Sequence, residues 1–528
     1  VKTGLFLAVM ACLSLACGAV AAFTCSKAAA GFAKNLRSDI FRKVQTYNFE
    51  NIDKFSSSSL VTRMTTDVTN VQMSFMMIIR TAIRSPLMLT FSIIMAYVMG
   101  GALSTAFVVV IPLLAFGLYF ISRKAMPAFR SVFKKYDRLN ESIEENVRAM
   151  RVVKGFAREE YEKEKFGVAA EDIRGDFTRA ERIVALNTPL MQICMNIIMV
   201  FVLWFGSKMT ILSGGTRIDV GQISAMITYG IQILTSLMML SMIYVMITMS
   251  AESAKRICEV LDEVPTLAEN ESPSDNVTDG SVEFDGVSFK YSRSAKRYAL
   301  SDINLKINSG MTVGIIGTTG SSKSTLVQLI PRLYDATEGT VRVGGKDVRD
   351  YSIHSLRNAV SMVLQKNLLF SGTIKENLKW GNENATDEEI VQACRLACAD
   401  EFVSSFPEGY DTYIEQGGTN VSGGQKQRLC IARALLKKPK ILILDDSTSA
   451  VDTKTDAQIR SGLKKYVPET TKIIIAQRIS SVQDADMIIV MDNGKISMTG
   501  THEYLLENSD IYKEVYTQQT NGGDEDER

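Results

Sequence analysis

Net charge is the first thing this chain lacks. Its 528 residues carry 59 Lys and Arg against 58 Asp and Glu, leaving +1 and no excess with which to hold a nucleic-acid backbone. A disulfide framework is missing too, because the eight cysteines lie mostly in apolar or helical stretches with no spacing that pairs them. Cys394 and Cys398 stand four apart on an expected helix, but no further Cys or His lies close by, so they read as reduced core thiols. Histidine is scarce, with only His354 and His502. Charge is absent again from several long runs before about residue 255, and after it charges recur every few residues. Asn276 and Asn384 open Asn-X-Thr tripeptides in that charged half and read as chance matches to the glycan pattern.

The uncharged runs are long enough to cross a membrane. Gly4 to Thr24 is one, since at ~1.5 Å per residue it spans a ~30 Å hydrocarbon core. Its length and the lack of a small-residue cleavage site argue against a secretory signal. Ser85 to Ser122 is uncharged for longer than one crossing needs, and Gly100-Gly101 divides it into two helices with a tight external turn. Asn187 to Ser207 is a fourth span, and Val220 to Ser250 a fifth that runs on into a charged helical extension. Lys27 to Arg84 and Arg123 to Arg182 are long and rich in Lys and Arg, whereas the turns at Gly100 and Gly214-Gly215 are short and nearly uncharged. The positive-inside rule puts the long stretches in the cytosol. Five crossings would then start outside, and the chain opens with Val rather than Met, so one upstream helix is expected to be missing from it.

No acid or base lies within these runs, which leaves a proton or ion relay without a carrier. The fifth is rich in methionine, at Met226, Met238, Met239, Met242, Met246 and Met249. Such polarizable side chains suit varied apolar ligands, and they equally suit helix packing or lipid.

Beyond a Glu-, Ser- and Pro-rich linker at 262–280, the pattern becomes that of an α/β domain. "MTVGIIG" reads as a buried strand, and "GTTGSSKSTLVQLI", Gly317 to Ile330, as a glycine-rich turn entering a helix. A phosphate loop needs converging backbone N–H groups, a helix N-terminus, a Lys and a hydroxyl for Mg²⁺. Gly317, Thr318, Thr319, Gly320, Ser321, Ser322, Lys323, Ser324 and Thr325 form that loop. Ser322 departs from it, because Gly normally precedes the Lys and a Cβ there crowds the loop or alters its dihedral. "ILILDD" is the partner strand, with Asp445 placed to hold Mg²⁺ alongside Ser324, and Asp446 placed to polarise the attacking water. Ser422, Gly423, Gly424 and Gln425 open a further helix whose N-terminus is a second anion site. One nucleotide hardly needs two such helix ends from one chain, so a second subunit is expected to use this one.

"GTTGSSKST", "VSGGQ" and "ILILDD", in this order, resemble an ATP-binding cassette transporter of the exporter type, and the resemblance covers essentially the whole sequence. It implies an α-helical transmembrane domain of six spans, the first missing here, fused to an α/β P-loop nucleotide-binding domain. The expected boundaries are 1–255 for the membrane domain, 256–280 for a linker, 281–516 for the cassette and 517–528 for a disordered acidic tail. By the same resemblance, 48–68 and 140–160 are coupling regions, Tyr291 stacks on adenine, Gln365 joins the Mg²⁺ shell, and Asp452 crosses to the partner.

Two departures matter. The family pattern has Glu where Asp446 stands and His where Gln477 stands, and "YIEQGGTN" differs from the usual order before the signature. Asp is one methylene short, about 1.5 Å. A misplacement near 1 Å costs ~10²-fold, and general-base catalysis is worth ~10²–10⁴-fold. Gln477 can hydrogen-bond a γ-phosphate but not as a cation. Members with these changes resemble one half of a heterodimer with unequal sites. The expectation is an ATP- and Mg²⁺-using half-transporter in a plasma membrane, its nucleotide domain cytoplasmic, that exports small amphipathic drug-like or lipid-like compounds with a non-identical partner and contacts no nucleic acid. A homodimeric exporter and a nucleotide-gated channel or regulatory subunit are the alternatives.

Overall fold

The computed structural model describes residues 2–214, 218–267, 269–270, 272–292, 295–447 and 451–521. They form two units, Val1–Thr46 with Phe55–Glu263, and Tyr47–Lys54 with Val264–Arg528.

The first unit is helical, and among the described residues five helices are long and apolar enough to cross a membrane. The first runs unbroken from Lys2 to Gln45. The second is longer than its uncharged core, being helical from Ser57 to Gly100 through two π turns, Arg63–Asp67 and Ile78–Ala82. Gly101 turns the chain with φ +48°, and a helix resumes at Thr105. Asn187–Ser213 ends at Gly214 with φ +58°, while Gly215, the other half of the expected turn, lies outside the described residues. Asp219 and Gln222 form a capping box that starts the Val220–Asp262 helix.

Small and polar residues let these helices approach. A Cβ on Gly100 would lie 2.0 Å from the Met226 sulfur, so that sulfur packs directly on the backbone. Ser92 donates to Gln232 Oε1 at 3.0 Å, an interhelical bond of the kind that apolar surroundings favour. Of the six methionines of this helix, Met226 is fully buried, whereas Met242 is 60% exposed. Toward the helix ends, Asp67 is fully buried and Arg256 donates to both its oxygens.

The second unit places a four-stranded antiparallel sheet beside a six-stranded sheet. The latter runs Lys495–Gly500, Met487–Asp492, Thr312–Gly317, Thr471–Ile475, Ile441–Asp445, Val360–Val363, and only the first strand is antiparallel. Ile441–Asp445 and Thr471–Ile475 are buried at every position, as expected of parallel strands covered on both faces. Their register sets Asp445 beside Ile475, and Ile475 beside Ile315, so three strands deliver their C-terminal ends to one edge. Ligands bind open α/β sheets at such edges.

Three boundaries differ from the sequence reading. The Val220–Asp262 helix takes in 256–262, expected as linker, because its apolar face continues through buried Ile257 and Val260. Tyr47–Lys54, expected in the membrane domain, belongs to the nucleotide unit. There Tyr334 donates to Asp53 Oδ2 at 3.1 Å, and the Phe49 and Tyr334 rings lie 6.0 Å apart. Finally, the Asp510–Asn521 helix carries structure through the first residues of the expected tail, since Tyr512 anchors it in the core; 522–528 lie outside the described residues.

Candidate nucleotide site

The loop between the Thr312–Gly317 strand and the Lys323–Gln328 helix has a specific twist. Gly320 sits at φ +84° and Ser322 at φ +68°, ψ +27°. The sequence departure at Ser322 is thus absorbed by a left-handed backbone, which costs a residue with a Cβ roughly 1–2 kcal/mol. Lys323 Nζ folds back across the loop, donating to Gly317 O at 2.8 Å and Thr318 O at 2.9 Å. Burial lowers its pKa, while the charges of Asp446 and Asp445 oppose that shift. Ser321 is buried, and Tyr291 Oη lies 2.8 Å from Thr325 Oγ1. The Tyr291 ring, expected to face adenine, is 47% exposed, with Phe289 and Tyr334 packed edge-on against it. Its hydroxyl therefore ties a half-exposed ring to the phosphate-loop helix.

At the neighbouring strand end the two acids have separate surroundings. Ser324 Oγ donates to Asp445 Oδ1 at 3.0 Å. Burial pushes the Asp445 carboxyl up, the Ser324 bond opposes it, and the adjacent Asp446 charge pushes the same way. Asp446, at φ +48°, points elsewhere: its Oδ2 accepts from Gln477 Nε2 at 2.7 Å and from Gln365 Nε2 at 3.3 Å. The two histidines pair elsewhere, His354 with Asn358 and His502 with Tyr512.

The donor set fits Mg²⁺ carried by a nucleotide better than a resident metal. Among the described residues no three His, Cys, Asp or Glu side chains cluster. A hydroxyl and a carboxylate do converge at Ser324 and Asp445. Mg²⁺ is commonly held by one or two carboxylates together with substrate phosphates. Ser324, Asp445 and Gln365 would hold it, and it supplies charge neutralisation to the phosphates.

The other expected residues lie on helix starts. Ser422 Oγ accepts from Gln425 N at 3.3 Å and Gln425 Oε1 from Ser422 N at 2.9 Å, so this capping box leaves the amides of Gly423 and Gly424 as the exposed end of the Gly423–Leu436 helix. Asp452 caps the Thr453–Tyr466 helix through Thr455 N at 2.9 Å, and this bond holds its carboxyl below the usual range. Thr448, Ser449 and Ala450, between it and Asp446, lie outside the described residues.

Sequence reasoning missed Asp53 and Tyr334, an aromatic and an acid far apart in the chain. It also missed the support of the Gln477 segment, where Ser481 Oγ donates to Asp456 Oδ2 at 2.9 Å. An Asp four residues into a capped helix, with Arg460 a turn later, was the available signal.

Comparison with known proteins gives the family and the fold. The family described as "ABC transporter transmembrane region" matches residues 1–238, and that described as "ABC transporter" matches residues 300–449. The chain is 38% identical to the ABC transporter ATP-binding protein YfiB of Bacillus subtilis over 96% of this chain and 87% of YfiB. It is 33% identical to YknV of the same organism over 90% of this chain and 78% of YknV. Among solved structures it is similar to a bacterial Atm1-family ABC exporter with ATP bound, with a TM-score of 0.83 and 26% identity over 93% of this chain and 86% of the other.

Proposed function

The chain belongs to the ABC transporter family, a helical transmembrane domain fused to an α/β nucleotide-binding domain with the Atm1-like exporter fold, and on that premise we propose that it is one half of a heterodimeric exporter. Its own site binds ATP and hydrolyses it slowly. Its signature helix, opened by Ser422, Gly423 and Gly424, completes the site of a non-identical partner, where turnover is fast. The cargo is a small amphipathic compound, drug-like or lipid-like, and the nucleotide unit lies on the cytoplasmic side of a plasma membrane.

One observation carries the unequal-site reading. The acid in the water-polarising position is an Asp whose Oδ2 is held by two neutral amides, those of Gln477 at 2.7 Å and Gln365 at 3.3 Å. A carboxylate held this way is oriented but short, and no imidazolium stands beside it to stabilise charge on a γ-phosphate. The loop and the Ser324–Asp445 pair keep the parts that bind nucleotide. The cargo class rests on the partly exposed methionines Met239, Met242 and Met249 of the fifth span.

The chain purified alone should bind ATP and turn it over slowly, and co-purification from native membrane should bring a second half-transporter carrying Glu and His at the equivalent positions. Brisk ATPase activity of the chain alone would sink the heterodimer in favour of a homodimeric exporter. Absence of ATP-driven uptake into inverted vesicles holding both chains would favour a nucleotide-gated channel or regulatory subunit.

A further inference from the structure

The last helix reaches the nucleotide site through one side chain. Asp510–Asn521 is anchored by Tyr512, which is fully buried and whose hydroxyl lies 2.8 Å from His502 Nδ1. Tyr516 packs edge-on against the same imidazole, and Ile511 and Val515 lie on the core. Gln519 is seven residues beyond Tyr512, two turns along the same face. Its amide makes two hydrogen bonds to one short piece of backbone: Nε2 donates to Gln477 O at 2.7 Å, and Oε1 accepts from Ile479 N at 2.9 Å.

That backbone carries the side chain that holds Asp446. The Thr471–Ile475 strand ends just before it and the short helix Ile479–Ser481 begins just after; Ala476 N still donates to Ile315 O at 3.3 Å, and Gln477 and Arg478 lie beyond that last sheet bond. Ser481 is fixed from the other side by Asp456. The Gln477 carbonyl and the Ile479 amide are separated by the φ and ψ of Arg478, and one planar amide can engage both only in a narrow range of those two dihedrals. Held this way, the peptide plane after Gln477 is the fixed base from which the Gln477 side chain reaches Asp446 Oδ2.

We propose that Gln519 is a positioning residue for ATP hydrolysis, a clamp from the C-terminal helix that fixes residues 477–479 so that the side chain at 477 meets Asp446. The proposal rests on the reading of Asp446 as the acid that orients the attacking water. Because Gln519 grips main-chain atoms, its effect does not depend on which side chain occupies position 477. Among the described residues its hydrogen bonds go to Gln477 and Ile479 and not to the phosphate loop, so nucleotide affinity is expected to be separate from its action.

The test uses the full chain in detergent or nanodiscs. Gln519→Met keeps the length and removes both bonds; Gln519→Glu keeps the acceptor for Ile479 and loses the donor to Gln477. Each is made in the native background and in one carrying Asp446→Glu with Gln477→His, and single-turnover conversion of labelled ATP gives a rate in slow sites. The expected result for Gln519→Met is a fall of about fivefold in rate with the ATP KM unchanged. Amide exchange at Ile479 should quicken about tenfold while the core strands keep their protection. Gln519→Glu should retain Ile479 protection yet lose rate. An unchanged rate ratio in both backgrounds, a loss of rate matched by a rise in KM, or unaltered Ile479 exchange would overturn the clamp, as would the absence of turnover in both. Fast turnover by the native chain would instead refute the slow-site reading and leave the ratio interpretable.

Discussion

Asp446→Glu together with Gln477→His is the perturbation that most directly probes the site. Asp446 Oδ2 lies 2.7 Å from Gln477 Nε2 and 3.3 Å from Gln365 Nε2, so its position is defined by two donors on one oxygen. Adding a methylene advances the carboxylate by about 1.5 Å. An error of ~1 Å in placing a reacting group is worth ~10²-fold, and the imidazole adds a donor that can carry charge. The double variant is therefore expected to hydrolyse ATP about 10²-fold faster than the native chain, a barrier lower by about 2.7 kcal/mol. The backbone opposes the exchange. Asp446 stands at φ +48°, where Asp is tolerated better than Glu, so the variant should also be less stable by about 0.5–1 kcal/mol. Faster turnover with slightly lower thermal stability is thus the joint signature. Single-turnover conversion of labelled ATP, with a melting curve on the same preparation, measures both. A rate unchanged within twofold would refute the argument that reach and imidazole limit this site, and would move attention to the strained residue at 322.

Ser322→Gly should relieve the left-handed strain at φ +68° and, after the larger chain entropy of glycine, stabilise the nucleotide unit by about 0.5–1 kcal/mol; a melting temperature unchanged or lowered would mean that the Cβ is not strained. Asp445→Asn removes a carboxyl that burial and Asp446 push toward its neutral form, so the nucleotide-free protein should melt higher by a few degrees, on the order of 1 kcal/mol. The stabilisation gained from Mg²⁺ and ATP should shrink in the same experiment, and an undiminished gain would remove Asp445 from the metal's neighbourhood. Arg256→Met strands the fully buried Asp67 and should cost the helical unit about 3 kcal/mol, most of it recovered by adding Asp67→Asn. Unfolding in mild denaturant reads this cycle, and no recovery in the double variant would show that the ion pair is not what Asp67 requires.

The sequence was most legible where local chemistry dictates geometry. A strand, a glycine-rich turn and Lys-Ser-Thr can fold in few ways, and Lys323, Ser324 and Asp445 do meet at one strand edge. Ser322 was visible as a departure because a Cβ before the Lys has a predictable consequence, and the backbone bears it as positive φ. Uncharged runs located the spans but not their ends, since helices do not stop where hydrophobicity stops. Val220–Asp262 continues for as long as its apolar stripe finds buried neighbours, as far as Val260. Tertiary pairings left no local trace. Tyr334 with Asp53 and Gln519 with Gln477 join residues hundreds and tens of positions apart, and each partner taken singly reads as an ordinary surface side chain. Asp446 lies between these cases. Its residue type alone suggested a shortened base, but the physical reason it stays oriented, two amides sharing one oxygen, required Gln365 and Gln477 to arrive beyond the two strands that flank Ile441–Asp445. On the proposed slow-site reading, the two amides orient the carboxylate without lending it a charge, an arrangement suited to retaining ATP rather than to consuming it quickly.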